Sequence, residues 1–85
     1  MKEMKIKTWF IDKEEDKARR YNIYLDYSRR DEELGQPIEE DGCYYMAIEE
    51  VLNETEKAVQ VVIASGEVLG SYKGWKTWIP KSQIM

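Results

Sequence analysis

Apolar residues recur with period two through much of the second half of the chain. Val59, Val61 and Ile63 fall on one side of residues 57–64. Tyr44, Met46 and Ile48 fall on one side of residues 43–52, with Tyr45, Ala47, Glu49 and Val51 on the other. Such alternation predicts strands, because successive side chains of an extended backbone point to opposite faces. The residues Asn53-Glu54-Thr55-Glu56 supply a tight polar connection between these two strands. After an excursion punctuated by Gly66 and Gly70, a last strand is expected over residues 72–79. It is interrupted by Gly74 and stopped by Pro80, which has no N–H to give to a ladder.

The first half is less regular. Lys5 and Lys7 alternate with Met4, Ile6 and Thr8 before the apolar Trp9-Phe10-Ile11, which reads as a strand over residues 4–11. Asp12 follows as a helix cap, with Glu15 at the capping-box position. Residues 13–20 then place acids before arginines, as a helix macrodipole favours. Residues 21–28 fit two patterns: Ala18, Tyr21, Leu25 and Ser28 share a helical face, whereas Tyr21, Ile23, Leu25 and Tyr27 alternate against Asn22, Tyr24 and Asp26. The modest helix propensity of Tyr, Asn, Ile, Asp and Ser favours the strand. Residues 29–42 contain Gly35, Pro37 and Asp41-Gly42 and predict an exposed loop, long enough to be either functional or mobile.

These elements define an α+β fold leaning mainly to β. A small antiparallel sheet or partly open barrel of four to five strands, arranged as a meander, carries one short helix near residues 13–20. Eighty-five residues make a single domain, 1–85, because cores of this size hide only about 60 to 65 % of the unfolded surface and cannot be divided further.

Composition narrows the chemistry. No window approaches the run of about 20 apolar residues that crosses a bilayer, and Met1-Lys2-Glu3-Met4-Lys5 lacks a hydrophobic signal region. A lone cysteine, Cys43, and four methionines fit a reducing compartment, so the expected location is the cytoplasm of a bacterial host cell. Cys43 is expected to pack as a small hydrophobe beside Tyr44. Histidine is absent, which removes the usual base near neutral pH and the commonest transition-metal ligand. The carboxylates occur as neighbours, without a nucleophile and base at a recognisable spacing and without the spacing of a calcium loop. The expectation is a protein that is not an enzyme, with no cofactor and no metal.

Charge is zoned. Residues 1–33 carry nine basic and nine acidic side chains, residues 34–57 one and seven, and residues 58–85 three and one, for a net charge of −4. The acidic middle, with Glu39, Glu40, Asp41, Glu49, Glu50, Glu54 and Glu56, can steer a basic partner or imitate a row of phosphates. It can equally be a solvated surface that keeps a small protein in solution. Tyr21, Tyr24 and Tyr27 lie among arginines, a combination common at interface hot spots. In a strand Tyr24 points away from the other two, which makes it the single residue most expected to touch a partner, unless it is an ordinary half-buried sheet residue.

A second surface is predicted on the last strand. If Trp75, Thr77 and Ile79 face the core, Trp78 stands outside beside Lys76, with Lys73 and Lys81 near. An indole among ammonium groups is a platform for stacking a base while neutralising phosphate. A sequence pI near 4.9 weighs against nucleic acid, since such domains are often strongly basic.

Glu54-Thr55-Glu56-Lys57-Ala58, followed later by Trp78-Ile79-Pro80-Lys81-Ser82-Gln83, resembles a pattern in small uncharacterised proteins of bacteria, phages and mobile elements. In size and acidity the chain is similar to anti-CRISPR and other anti-defence inhibitors. That resemblance implies a phage-encoded, non-enzymatic inhibitor of a host defence nuclease or other nucleic-acid enzyme; the charge and aromatic patterns above would give it an acidic surface at Glu39, Glu40, Asp41, Glu49 and Glu50 with Tyr and Trp anchors, Tyr24 first among them. The alternative is a single-stranded nucleic-acid-binding module using Lys73, Trp75, Lys76, Trp78 and Lys81. Either is expected as a monomer, or as a homodimer formed by strand pairing.

Overall fold

The computed structural model describes residues 2–67, 70 and 74–85. Tyr72 and Lys73, assigned above to the last strand, lie outside the described residues. The elements are β1 (Lys2–Lys7), α1 (Thr8–Arg19), β2 (Ile23–Leu25), β3 (Glu39–Glu40), β4 (Cys43–Glu54), β5 (Ala58–Ile63), β6 (Ser65–Glu67) and β7 (Trp75–Pro80), with a 3₁₀ turn at Lys81–Gln83. The main sheet is antiparallel and open. Its order is β1-β4-β5-β7, with β3 also on β4, while β2 and β6 form a separate ribbon. The predicted small α+β fold is therefore present, but β1 pairs with the distant β4, so the sheet is not a simple meander.

Helix α1 starts earlier than predicted. Trp9-Phe10-Ile11 is its first turn and not the end of a strand, and Asp12 and Glu15 lie inside it instead of capping it. The N-terminal amide of Thr8 is satisfied by the Gly42 carbonyl at 2.9 Å, which replaces a side-chain cap. Asn22, in the left-handed region at φ 61°, ends the helical turn, and Tyr21 and Asn22 donate back to the Ala18 and Arg19 carbonyls. Phe10, Ile11, Glu14, Glu15 and Ala18 form the buried face of α1, which accounts for the apolar run.

Strand β4 runs through the middle and changes partner along its length. One edge of residues 43–48 pairs with β1 throughout. The other edge takes β5 from Ile48 onward, and before that β3 and the segment after β2, through Tyr27–Met46, Ser28 N–H to Tyr45 O and Ala47 N–H to Asp26 O. Register shifts leave Glu49 and Leu52 as extra residues, so a bulge sits where β5 turns away to become β6. A bulge strengthens local twist and bends its strand, which is the geometry this change of partner requires.

The core gathers Ile6, Phe10, Ile11, Leu25, Met46, Ile48, Val59, Val61, Ile63 and Ile79 between α1 and the sheet. Val59, Val61 and Ile63 share the inward face as predicted, and Cys43 is buried. The strand expected over residues 21–28 shortens to Ile23–Leu25. The polar connection after β4 tightens to a turn closed by Thr55 N–H to Ala58 O at 2.8 Å, with β4 extending through Glu54.

The long loop is ordered by its own contacts. Asp31 accepts from the amides of Glu33 and Leu34 at 2.8 and 2.9 Å, Arg30 caps the Gly35 carbonyl at 2.7 Å, and Arg30 bridges to Pro37. Asp41 and Gly42, at φ 55° and 70°, form the two-residue turn between β3 and β4. Two consecutive positive φ values are the geometry that an Asp-Gly hairpin turn supplies.

Candidate functional site

The acidic residues proposed from sequence do not assemble into one face. Glu40 and Asp41 project near the β3–β4 turn, where the Lys5 ammonium reaches them at 3.5 and 2.9 Å. Tyr45 beside them is enclosed by charge. The Arg29 guanidinium lies 3.9 Å from its ring centroid and the Lys5 ammonium 5.6 Å, while its hydroxyl donates to Glu40 at 2.9 Å. Arg29 also forks onto Glu3 at 3.0 and 3.1 Å, and Ser28 Oγ donates to Glu3 at 2.6 Å. The hydrogen bond from Arg29 holds the Glu3 carboxyl below its ordinary range. Opposite charges thus meet on the surface at this end of the sheet, and Lys5 offsets part of the charge that Glu40 and Asp41 present to a partner.

Glu49 and Glu50 lie six and seven residues beyond Cys43, the first residue of β4, past its pairing with β1. At about 3.3 Å per residue that separates them from the Asp41 turn by roughly 20 Å. Both are exposed, and neither makes an ion pair among the described residues, nor does Glu39. Tyr24 is 46 % exposed between the buried Ile23 and Leu25. It stands opposite Gly66 across the β2–β6 pair, and the Arg19 guanidinium is 5.7 Å from its ring. An aromatic paired across from a glycine is a usual sheet combination, and with Arg19 at its ring Tyr24 has a structural role besides any contact with a partner.

The tryptophans of β7 separate as parity requires. Trp75, Thr77 and Ile79 turn inward, and Lys76 and Trp78 outward. Trp75 is not available for stacking. It packs against the core, meets Tyr21 with ring centroids 6.1 Å apart, and donates its indole N–H to Glu14 Oε1 at 3.3 Å. Lys81 is held by Glu54 at 2.6 Å, which lowers the Glu54 carboxyl below its ordinary value. Lys73 lies outside the described residues. Of the proposed nucleic-acid set, Trp78 and Lys76 alone are outward-facing and without such ties among the described residues.

Trp78 is 45 % exposed in mid-strand. Cross-strand pairing sets Gln60 beside Trp78 and Val62 beside Lys76, and on β4 sets Asn53 beside Gln60 and Glu50 beside Val62. Asn53 donates to Gln60 at 2.7 Å. One mostly polar face therefore spans β4, β5 and β7, and Trp78 is the one large aromatic on it among the described residues.

Two buried carboxylates on α1 were not recognised from sequence. Glu14 is 3 % exposed and accepts from Trp75 and from the Thr77 hydroxyl, with Lys17 at 3.3 Å. Glu15 is 8 % exposed, accepts the Leu25 amide at 3.1 Å, and has Arg19 at 3.5 Å. Each tethers the helix to a strand. They resemble ordinary helix-surface acids in sequence, and only their i, i+4 relation to Phe10, Ile11 and Ala18 signals the inward face.

Burial raises the Glu15 carboxyl above its ordinary 4.5, outweighing the Leu25 amide and Arg19, which both lower it. The folded state then holds this proton more tightly than the unfolded chain. Its stability therefore falls as pH rises from 4.5 through the folded value. The variant E15Q keeps an acceptor for Leu25 without the charge. The stability difference between E15Q and the parent is expected to shift toward E15Q across that interval in denaturant titrations; a gap independent of pH would contradict the assignment.

No group of three or more Cys, Asp or Glu side chains that could hold a metal occurs among the described residues, and no described helix is long and apolar enough to cross a membrane. No family profile, curated protein or solved structure matches this chain.

Proposed function

We propose that this chain is a non-enzymatic protein-binding module that docks through the outward face of β4, β5 and β7. Trp78 is the anchor, and Glu49, Glu50 and Glu39 bias the module toward a basic partner. The observation that carries this reading is the exposure of Trp78 in mid-strand, surrounded by the short or polar side chains of Gln60, Val62 and Asn53. An exposed indole on a mostly polar surface is the kind of group that dominates interface energetics once a partner desolvates it. The net charge of −4 supports a basic partner surface, such as the groove of a nucleic-acid enzyme, and inhibition by occupying that groove is the finer form of the proposal.

Direct nucleic-acid binding is less well supported. Phosphate neutralisation needs several cations along one track, whereas Lys81 is paired with Glu54 and Trp75 is turned inward.

The test compares the parent with W78A, with E49K/E50K and with E32K/E33K on the distant loop, each verified as folded by circular dichroism, as baits in soluble host extract. A partner retained by the parent should be weakened by W78A by about 2 kcal/mol or more, roughly 30-fold. It should also be lost with E49K/E50K and kept with E32K/E33K. Equal retention by all four baits would reject this face, and quenching of Trp78 fluorescence by single-stranded oligonucleotide at low salt would favour the nucleic-acid reading instead.

A further inference from the structure

β7 is the terminal strand of the main sheet, and its ladder to β5 runs the whole way from Ala58–Pro80 to Ile63–Trp75. Among the described residues, the backbone of residues 75–79 makes no hydrogen bond other than that ladder, so half of its amides and carbonyls face outward unpaired. The other edges are handled differently. β1 carries the Ile6–Ile84 bridge and the Met85 N–H to Lys5 O bond, and the outer half of β4 is broken by the Glu49 and Leu52 bulges. A straight, unbulged outer strand is a template for another strand.

The sequence of β7 is self-complementary when read about Thr77. Trp75 and Ile79 flank it on the inward face, and Lys76 and Trp78 on the outward face. From this we infer that β7 pairs with β7 of a second copy, antiparallel and two-fold symmetric about Thr77. In that register Thr77 faces its equivalent, Trp75 lies beside the partner's Ile79, and Lys76 lies directly across from the partner's Trp78, twice over by symmetry. A lysine on an edge strand ordinarily discourages pairing. Here the two-fold places each ammonium against an indole face, turning that deterrent into a pair of cation–π contacts between directly opposed residues. Pro80, which lacks an N–H, ends the paired stretch.

The two main sheets then become one continuous sheet, with both outward faces on the same side. This inference concerns the edge of β7, and it shares Trp78 with the partner-docking face. The dimer would present two docking faces around a shared Lys76/Trp78 centre.

Sedimentation equilibrium of the purified protein over a wide concentration range tests the inference without any partner present. The parent should approach twice its protomer mass as concentration rises. K76E sets a carboxylate against the opposing indole and should weaken association by roughly tenfold or more, since both symmetric contacts are lost at once. W78A should do the same. The exchange K76E/W78K places opposite charges across the two-fold and should restore association relative to K76E alone, an outcome that damage to the protomer fold would not produce. A parent that stays monomeric at all concentrations overturns the inference. So does a dimer indifferent to K76E and W78A, or an exchange variant no better than K76E. Because W78A removes both the docking anchor and the dimer contact, K76E separates the two: it should weaken association while leaving Trp78 in place for capture, and a partner still retained by a monomeric K76E would show that docking does not need the dimer.

Discussion

The variant I48A is expected to lose about 2–5 kcal/mol of stability, the range seen when a fully buried aliphatic side chain is cut back and its cavity only partly closes. Ile48 is 0 % exposed, pairs with Lys2 of β1 on one side and Ile63 of β5 on the other, and immediately precedes the Glu49 bulge. A small domain holds only about 5–15 kcal/mol in total, so with an unchanged slope the loss should lower the urea midpoint by about a third at mid-range values. I48V, which removes one methyl, should cost about 0.5–1.5 kcal/mol. A midpoint for I48A close to that of I48V would show that the core is not centred on β4.

The second large effect is expected at Glu14. In E14A the Trp75 indole N–H and the Thr77 hydroxyl lose their shared acceptor under the helix, and Lys17 loses its counter-charge. An unsatisfied buried donor costs about 1–3 kcal/mol. Because Trp75 and Thr77 are only half-buried, the sum is expected near 2–4 kcal/mol, measured by chemical denaturation. E14Q retains an acceptor and should lose about half as much. Replacing both ends of the Thr77 contact, as in E14L/T77V, should recover part of the E14A loss, since removing both partners of a buried hydrogen bond is far cheaper than removing one. If E14L/T77V proved no more stable than E14A, the Glu14–Thr77 contact would not be what fastens α1 to β7. In that case Trp75, which both variants leave without its acceptor, would account for the loss.

Strands with one buried and one open face were legible before the structure was known. The alternation of Val59, Val61 and Ile63 and the opposite parity of Trp75 and Trp78 both survive, because the period of two is a property of the extended backbone itself. The N-terminal helix was misplaced for a physical reason. Trp9-Phe10-Ile11 is apolar without periodicity, and the group that satisfies the Thr8 amide is the Gly42 carbonyl, far down the chain. Asp41-Gly42 carries a hairpin signal, which Gly35 and Pro37 in the same polar segment obscure. The acidic surface was the least legible part. Sequence shows which carboxylates exist, but the distribution of net field depends on where Lys5 and Arg29 arrive, and that is set by pairing of β1 with β4 and by the path of residues 26–29.

The placement of β1 has a consequence for how the chain is made. Its neighbours are residues 43–48 on one edge and Ile84 and Met85 on the other. Within this chain β1 is therefore made before either of its partners, and the twelve-residue helix that follows it is too short to persist in water by itself. Nascent chains stalled before β4 should remain protease-sensitive along their length. Protection should come late and all at once, when the hairpin of β4 and β5 gives the earlier segments a place to dock.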